Sequence, residues 1–211
     1  HQRSIQDRDA FWAEQAQHIE WHKAPQEICD YSNPPFAKWF KGGETNLCHN
    51  AIDRHLKDRG DQAALIFVST ETDQEVTYTY KQLHAEVQRM AASLLSLGVK
   101  KGDRVLIYMP MIAEASFAML ACARIGAIHS VVFGGFASGS LASRIEDASP
   151  KVIVSADAGS RGGKVVVYKP LLDEAIRLSS HKPDSVVLVE RGLASMDITD
   201  GRDLLWSTLR E

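Results

Sequence analysis

No stretch of this sequence is apolar for long enough to span a bilayer: the longest such tract, around Ala115 to Ala123, falls well short of the roughly 20 residues required. Cysteine is scarce too. Cys29, Cys48 and Cys122 are odd in number and form no CxxC pair, which excludes a disulfide scaffold and suits a reducing compartment such as the cytoplasm. The adjacent Cys48 and His49 would need a second Cys/His pair to complete a tetrahedral zinc site, and the sequence supplies none. Charge of neither sign prevails. With 24 Lys and Arg against 27 Asp and Glu, the net charge of −3 over 211 residues gives no reason to expect a nucleic-acid surface. Internal repeats and low-complexity segments are missing, as are GxSxG, a Ser/His/Asp order and a carboxylate pair. No catalytic residue and no metal ligand is therefore nominated.

What is present centres on Arg104 to Phe136, RVLIYMPMIAEASFAMLACARIGAIHSVVFGGF. A β-rich run (Val105 to Tyr108) precedes Pro110, the segment Ala113 to Ile125 has the length of a helix, and a β-branched run follows from Ile128 to Phe133. The order predicts strand, helix, strand, with Gly126 at the left-handed position that ends a helix. Both runs lack polar alternation and are expected as parallel strands buried on two faces; the helix, apolar on almost every side, is expected to be covered all round. A right-handed crossover puts the carboxyl ends of both strands on one sheet edge, where open α/β sheets bind their ligands. Functional residues are therefore sought just after Val132 and just after the next parallel strand.

Around this unit the pattern predicts an α/β fold. It is a partial doubly wound, largely parallel sheet with flanking helices over residues 61–211, preceded by an α-helical and irregular extension over residues 1–60. In the extension, Phe11, Trp12, Ala16 and Ile19 recur at helical spacing. The aromatic, Pro-containing stretch from Trp21 to Gly43 is expected to wrap over a larger body with its aromatics as buried anchors. Thr45 is expected to cap a helix whose stripe is Leu47, Cys48, Ala51, Ile52 and Leu56, ended by Gly60. Next come a hairpin (Ala64 to Val68, Val76 to Tyr78) and a helix opened by a capping box at Thr79 and Gln82 and closed by Gly98. A helix from Ser138 to Asp147, a strand at Val152 to Ser155, a β run at Val165 to Tyr168 and a helix from Pro170 to Leu178 follow. A strand at Val186 to Val189 and a helix at Leu204 to Leu209 complete the pattern. Strands are still being added where the sequence stops, which suggests a fold that continues, and open sheet edges would invite self-association.

Two loops fall at strand carboxyl ends. In Phe133-Gly134-Gly135-Phe136, glycine either lets backbone approach a flat ligand or a phosphate at a helix capped near Ser138, or serves a tight turn that needs positive φ. In Asp157-Ala158-Gly159-Ser160-Arg161-Gly162-Gly163-Lys164, two cations flank two glycines and could close on one phosphate; the alternative is a glycine turn with two solvated cations. It is not a P-loop, which would require Gly at Ala158 and Ser or Thr at Val165. His129, among apolar neighbours, is expected as a satisfied core or edge histidine.

KGDRVLIYMPMIAEASFAMLACARIGAIHSVVFGGFA from Lys101 to Ala137, with SADAGSRGGK from Ser155 to Lys164, resembles the short-chain, AMP-forming acyl-CoA synthetases of the adenylate-forming superfamily. The segment from Asp30 to Leu56 is closer to the propionate-using than to the acetate-using members, and FWAEQAQHIEW resembles the N-terminal extension of that group. The resemblance implies that a short-chain carboxylate, ATP with Mg2+ and CoA are the substrates, joined through an acyl-adenylate, with no nucleic acid and no membrane as partner. It also implies that Phe133, Gly134 and Gly135 lie against the adenine nucleotide of CoA and that Arg161, Gly162, Gly163 and Lys164 face its 3′-phosphate. The family's Ser/Thr/Gly-rich phosphate loop and small C-terminal domain have no counterpart here. The chain is thus expected to be an N-terminal portion, inactive in adenylation by itself and retaining no cofactor firmly. The alternative from another class is a stand-alone nucleotide-binding or interaction module.

Overall fold

The computed structural model describes residues 1–211, the side chain of Arg161 excepted. The extension holds α1 (Gln2–Gln6), α2 (Arg8–Ala16), β1 (Glu27–Asp30), β2 (Lys38–Lys41), α3 (Leu47–Ala51), a 3₁₀ turn and α4 (Leu56–Arg59). The hairpin β3 (Ala63–Ser69) and β4 (Gln74–Thr79) leads into α5 (Tyr80–Ser96), β5 (Arg104–Met109), α6 (Ala113–Ile125), β6 (Ile128–Phe133), α7 (Ser138–Ala148) and β7 (Val152–Ala156). A second hairpin, β8 (Ala158–Arg161) and β9 (Lys164–Val167), precedes α8 (Tyr168–Leu178), β10 (Ser185–Val189), β11 (Asp203–Leu205) and α9 (Trp206–Leu209).

Five strands form one sheet in the order β11-β10-β7-β5-β6, and every pairing within it is parallel. Leaving β5, the chain crosses through α6 to β6 on one side; α7 then carries it back past β5 to β7 on the other side. Crossovers of one hand running in opposite directions must lie on opposite faces, so the sheet is doubly wound, with α5 against α6 and α7 against α8. The strand order reverses about β5, and the carboxyl ends of β5, β6 and β7 open at that reversal.

The central strands fit their sequence. Val105 to Tyr108 and Val152 to Ala156 are wholly buried, and the Ser155 hydroxyl is satisfied by the Tyr108 carbonyl at 2.6 Å. Strand β6 differs. It is an edge strand, with Ile128, Val131 and Phe133 each more than half exposed, so its β-branched run does not report burial on two faces. Only Val132 of this strand enters the core, so its β-branched run fits a half-buried edge strand. The crossover helix is covered as its composition predicts: every residue from Ala113 to Ile125 is buried or half-buried, Glu114 and Arg124 among the half-buried. Its left-handed cap at Gly126 is present, with φ 75°.

Other expectations are corrected by tertiary context. The N-terminal amphipathic segment is two helices broken at Asp7. Asn46, not Thr45, caps α3 by accepting from the His49 N–H at 3.1 Å, and Leu47 is exposed. The stripe bends away because a 3₁₀ turn at Asp53–His55 interrupts the helix. Tyr31, Phe36 and Trp39 are exposed: the aromatics meet one another, as in the edge-on pair Trp12 and Trp39 at 5.7 Å, and the larger body does not cover them. Trp21 is the partial exception, its indole N–H donating to the Ala16 carbonyl at 2.9 Å. Leu204 and Leu205 extend the sheet as β11, and only Trp206 to Leu209 are helical.

Candidate functional site

At the strand-order reversal the carboxyl ends frame a groove of about 530 Å³. Met109, Pro110 and Met111 come from the end of β5, Val131 to Gly135 from the end of β6, and Ser160, Val166 and Tyr168 from the segment after β7. The walls are mostly apolar. Met111 and Phe133 stand exposed at the rim, and Glu71 from the β3/β4 turn adds a carboxylate.

Gly134 does not have positive φ; its constraint is space. A Cβ there would lie 2.5 Å from Tyr168 Oη and 2.9 Å from its Cζ. A Cβ on Gly159 would lie 2.7 Å from the same hydroxyl. Tyr168 is thus wedged between the loop after β6 and the strand after β7, and both approach it only because each is glycine there. Its ring lies 5.1 Å from that of Tyr108, whose hydroxyl donates to the Phe136 carbonyl at 3.1 Å. Burial, with Tyr168 beside it, pushes the Tyr108 phenol up to about 12, so it stays a donor at any physiological pH. Phe136 meets Phe133 edge-on at 5.8 Å and lies under the Arg144 guanidinium at 4.1 Å. The Gly134-Gly135 segment is a fixed floor held at both ends. Helix α7 beyond it has Ala137 at its N-cap and no side-chain cap, so the expected capping near Ser138 is absent.

The segment from Asp157 to Lys164, expected as a loop, is largely the hairpin β8/β9. Gly162 (φ 58°) and Gly163 (φ 75°) form its two-residue turn, where left-handed backbone is required. A Cβ added at either would meet nothing within 4 Å. Arg161 and Lys164 are register partners on either side of that turn. Like charges directly opposite one another do not stabilise a ladder. The side chain of Arg161 lies outside the described residues; Lys164 is exposed. The structure therefore joins Phe133, Gly134 and Gly135 to Ser160 in one groove and sets Gly162, Gly163 and Lys164 at the hairpin tip, outside the groove lining. His129 lies exposed on the edge strand, away from the groove lining.

Sequence reasoning did not nominate Tyr108, Tyr168, Glu71 or Arg191. Arg191 Nη1 donates to the Ala158 carbonyl at 2.8 Å and Nη2 lies 2.5 Å from Glu71 Oε2. Burial alone would raise the Glu71 carboxyl, but the Ser160 N–H and Arg191 outweigh it and hold it below its ordinary value. Asp157, buried at the end of β7, accepts from the backbone N–H groups of Ala158, Arg191 and Leu193. These roles have no local signature, because apart from the Ala158 N–H beside Asp157 the partners come from distant segments. Among the described residues no group of three His, Cys, Asp or Glu side chains converges as metal ligands would, and no helix is long and apolar enough to cross a membrane.

Residues 52–201 match the family model of the AMP-binding enzymes, and residues 1–51 match that of the acetyl-coenzyme A synthetase N-terminus. The chain is 62% identical over 211 residues to a propionate–CoA ligase of Salmonella typhimurium, covering all of this chain and 34% of that protein. It is 60% identical over 210 residues to a propionate–CoA ligase of Escherichia coli, covering all of this chain and 33% of that protein. An acetoacetyl-CoA synthetase from Streptomyces lividans superposes with a TM-score of 0.89 at 29% identity, covering all of this chain and 32% of that one. The chain spans about a third of the length of the relatives it matches.

Proposed function

The chain belongs to the AMP-binding enzyme family, and from that membership we propose that it forms part of an AMP-forming, short-chain acyl-CoA ligase acting on propionate. In that reaction propionate attacks ATP, pyrophosphate leaves, and the CoA thiol displaces AMP from the propionyl-adenylate. The observation that carries the proposal is the 62% identity, along the whole chain, with a relative named for this reaction.

Within it, this chain's part is to hold the nucleotide end of CoA. Gly134 and Gly135 present backbone, and Phe133 and Met111 present exposed apolar surface on which a purine can lie. Tyr108 and Tyr168 keep that floor from shifting. Arg161 and Lys164, on either side of Gly162 and Gly163, supply the positive charge that a 3′-phosphate needs. No residue here is assigned to Mg2+ or to adenylyl transfer, and a cytoplasmic location is part of the proposal.

The test is a pair of half-reactions in the full-length ligase that carries this chain: carboxylate-dependent exchange of pyrophosphate into ATP, and CoA-dependent release of AMP. Both are expected, with a higher kcat/KM for propionate than for acetate. A preference for acetate would replace the acid and keep the ligase; no exchange with either acid would overturn the proposal.

A further inference from the structure

Hairpin β8/β9 is a two-stranded ribbon that belongs to no larger sheet, and such a ribbon is marginal by itself in water. Its strand β8 has β9 on one side only. On the other side the Ala158 carbonyl accepts from Arg191 Nη1 at 2.8 Å, and the Ser160 N–H donates to Glu71 Oε1 at 2.9 Å. The two side chains that make these bonds are themselves joined, Arg191 Nη2 to Glu71 Oε2 at 2.5 Å. One ion pair thus takes an acceptor and a donor two residues apart on β8, which is what a third strand would do. Each half is anchored elsewhere. The Arg191 N–H donates to the buried Asp157 carboxylate at 3.1 Å, tying it to the carboxyl end of β7, and Glu71 sits in the turn of the β3/β4 hairpin.

The pair is also well shielded. The side chain of Arg191 is 7% exposed and that of Glu71 22%, so removing either leaves a charge in poor solvent. Glu71 and Ser160 both line the groove that holds Gly134 and Gly135. Hairpin, groove floor and ion pair are therefore one mechanical unit, in which the cation-bearing tip hangs from a strand whose outer edge is held by Glu71 and Arg191, with Asp157 accepting from the Ala158 N–H at its base.

We propose that Glu71 and Arg191 are positioning residues that fix hairpin β8/β9 against the Gly134-Gly135 floor, and so set the affinity for the phosphorylated end of CoA without touching it. This rests on the placement of CoA proposed above. Arg191→Lys keeps the charge but loses the rigid planar fork that spans the Ala158 carbonyl and Glu71, and Glu71→Gln keeps an acceptor for Ser160 while losing the ion pair.

In the full-length ligase each variant should raise the KM for CoA about tenfold while the KM for ATP stays within about twofold. Hydrogen exchange of the amides of residues 158–167 should quicken, with those of β7 and β10 unchanged, and the double variant should be no worse than the worse single, because both act on one unit. Faster exchange spread through β7 and β10, additive effects, or an unchanged KM for CoA would overturn the proposal. Gly134→Ala separates its failure from that of the CoA placement. If Gly134→Ala raises the KM for CoA while the Glu71 and Arg191 variants do not, the positioning role alone falls; if Gly134→Ala leaves it unchanged, CoA does not lie on this floor and both fall.

Discussion

Gly134 and Gly162 are glycines for different physical reasons, and alanine tells them apart. At Gly134 a Cβ would meet Tyr168 Oη at 2.5 Å, so Tyr168 must move; overpacking of this kind costs about 1–3 kcal/mol. Tyr168→Phe in the same chain should recover part of that loss, since it removes the nearest atom. Gly162 has open space around it but φ of 58°, so Gly162→Ala should cost about 1 kcal/mol through backbone strain alone, and Tyr168→Phe should do nothing for it. Urea denaturation of the four variants checks both statements. Both glycine pairs were visible in the sequence, but the need for positive φ entertained for Gly134 and Gly135 belongs to Gly162 and Gly163. Conformation at a glycine follows from what surrounds it, and Tyr168 reaches Gly134 from 34 positions away.

At the scale of elements, those with a local cause were legible. Helix α5 begins where Thr79 and Gln82 promised, the Thr79 hydroxyl accepting from the Gln82 N–H at 3.2 Å and the Gln82 side chain accepting from the Thr79 N–H at 2.8 Å. Thr79→Ala should cost about 1 kcal/mol in thermal or urea unfolding. Elements defined by distant partners were not legible: β11 reads as helix until Val187 pairs with Leu204, and β6 reads as buried until the strand order leaves it at the edge. The join between α7 and the segment after α8 was equally hidden. There Glu146 accepts from the Ser179 hydroxyl, the Ser180 N–H and hydroxyl, and the His181 N–H. The Ser180 and Ser179 hydroxyls, then the backbone donors, hold its carboxyl at about 2 against an ordinary value of 4.5. A folded value below the unfolded one stabilises above pH 4.5 and is lost as pH falls from there toward about 2. Acid titration of stability should therefore be less steep across that window in Glu146→Gln than in the parent, and equal slopes would show that the carboxylate contributes nothing.

The molecule as a whole is one core extended by an attached segment. Asn46 caps α3 and, through Nδ2, donates to the carbonyls of Ala123 and Arg124 at the end of α6, at 2.9 and 3.1 Å. Cys48 and Ile52 are buried in the same cluster as Leu94 and Phe117. Asn46→Ala should thus cost about 2 kcal/mol in urea unfolding, the sum of a lost cap and lost bonds to half-buried carbonyls. The parallel sheet, the crossover and the position of the groove followed from hydrophobic pattern and chain order, because βαβ units obey few rules. The tyrosine wedge and the Glu71–Arg191 pair did not, because only the assembled sheet edge brings them together. The central claim is that this edge holds the nucleotide end of CoA, with its 3′-phosphate at the hairpin tip. The most direct measurement is the dissociation constant of the full-length ligase for CoA and for dephospho-CoA, in the parent, in Arg161→Ala and in Lys164→Ala. An exposed charge-assisted contact is worth about 1 kcal/mol, so each variant should bind CoA about fivefold more weakly while binding dephospho-CoA as the parent does. Equal losses with both ligands, or none with either, would contradict it.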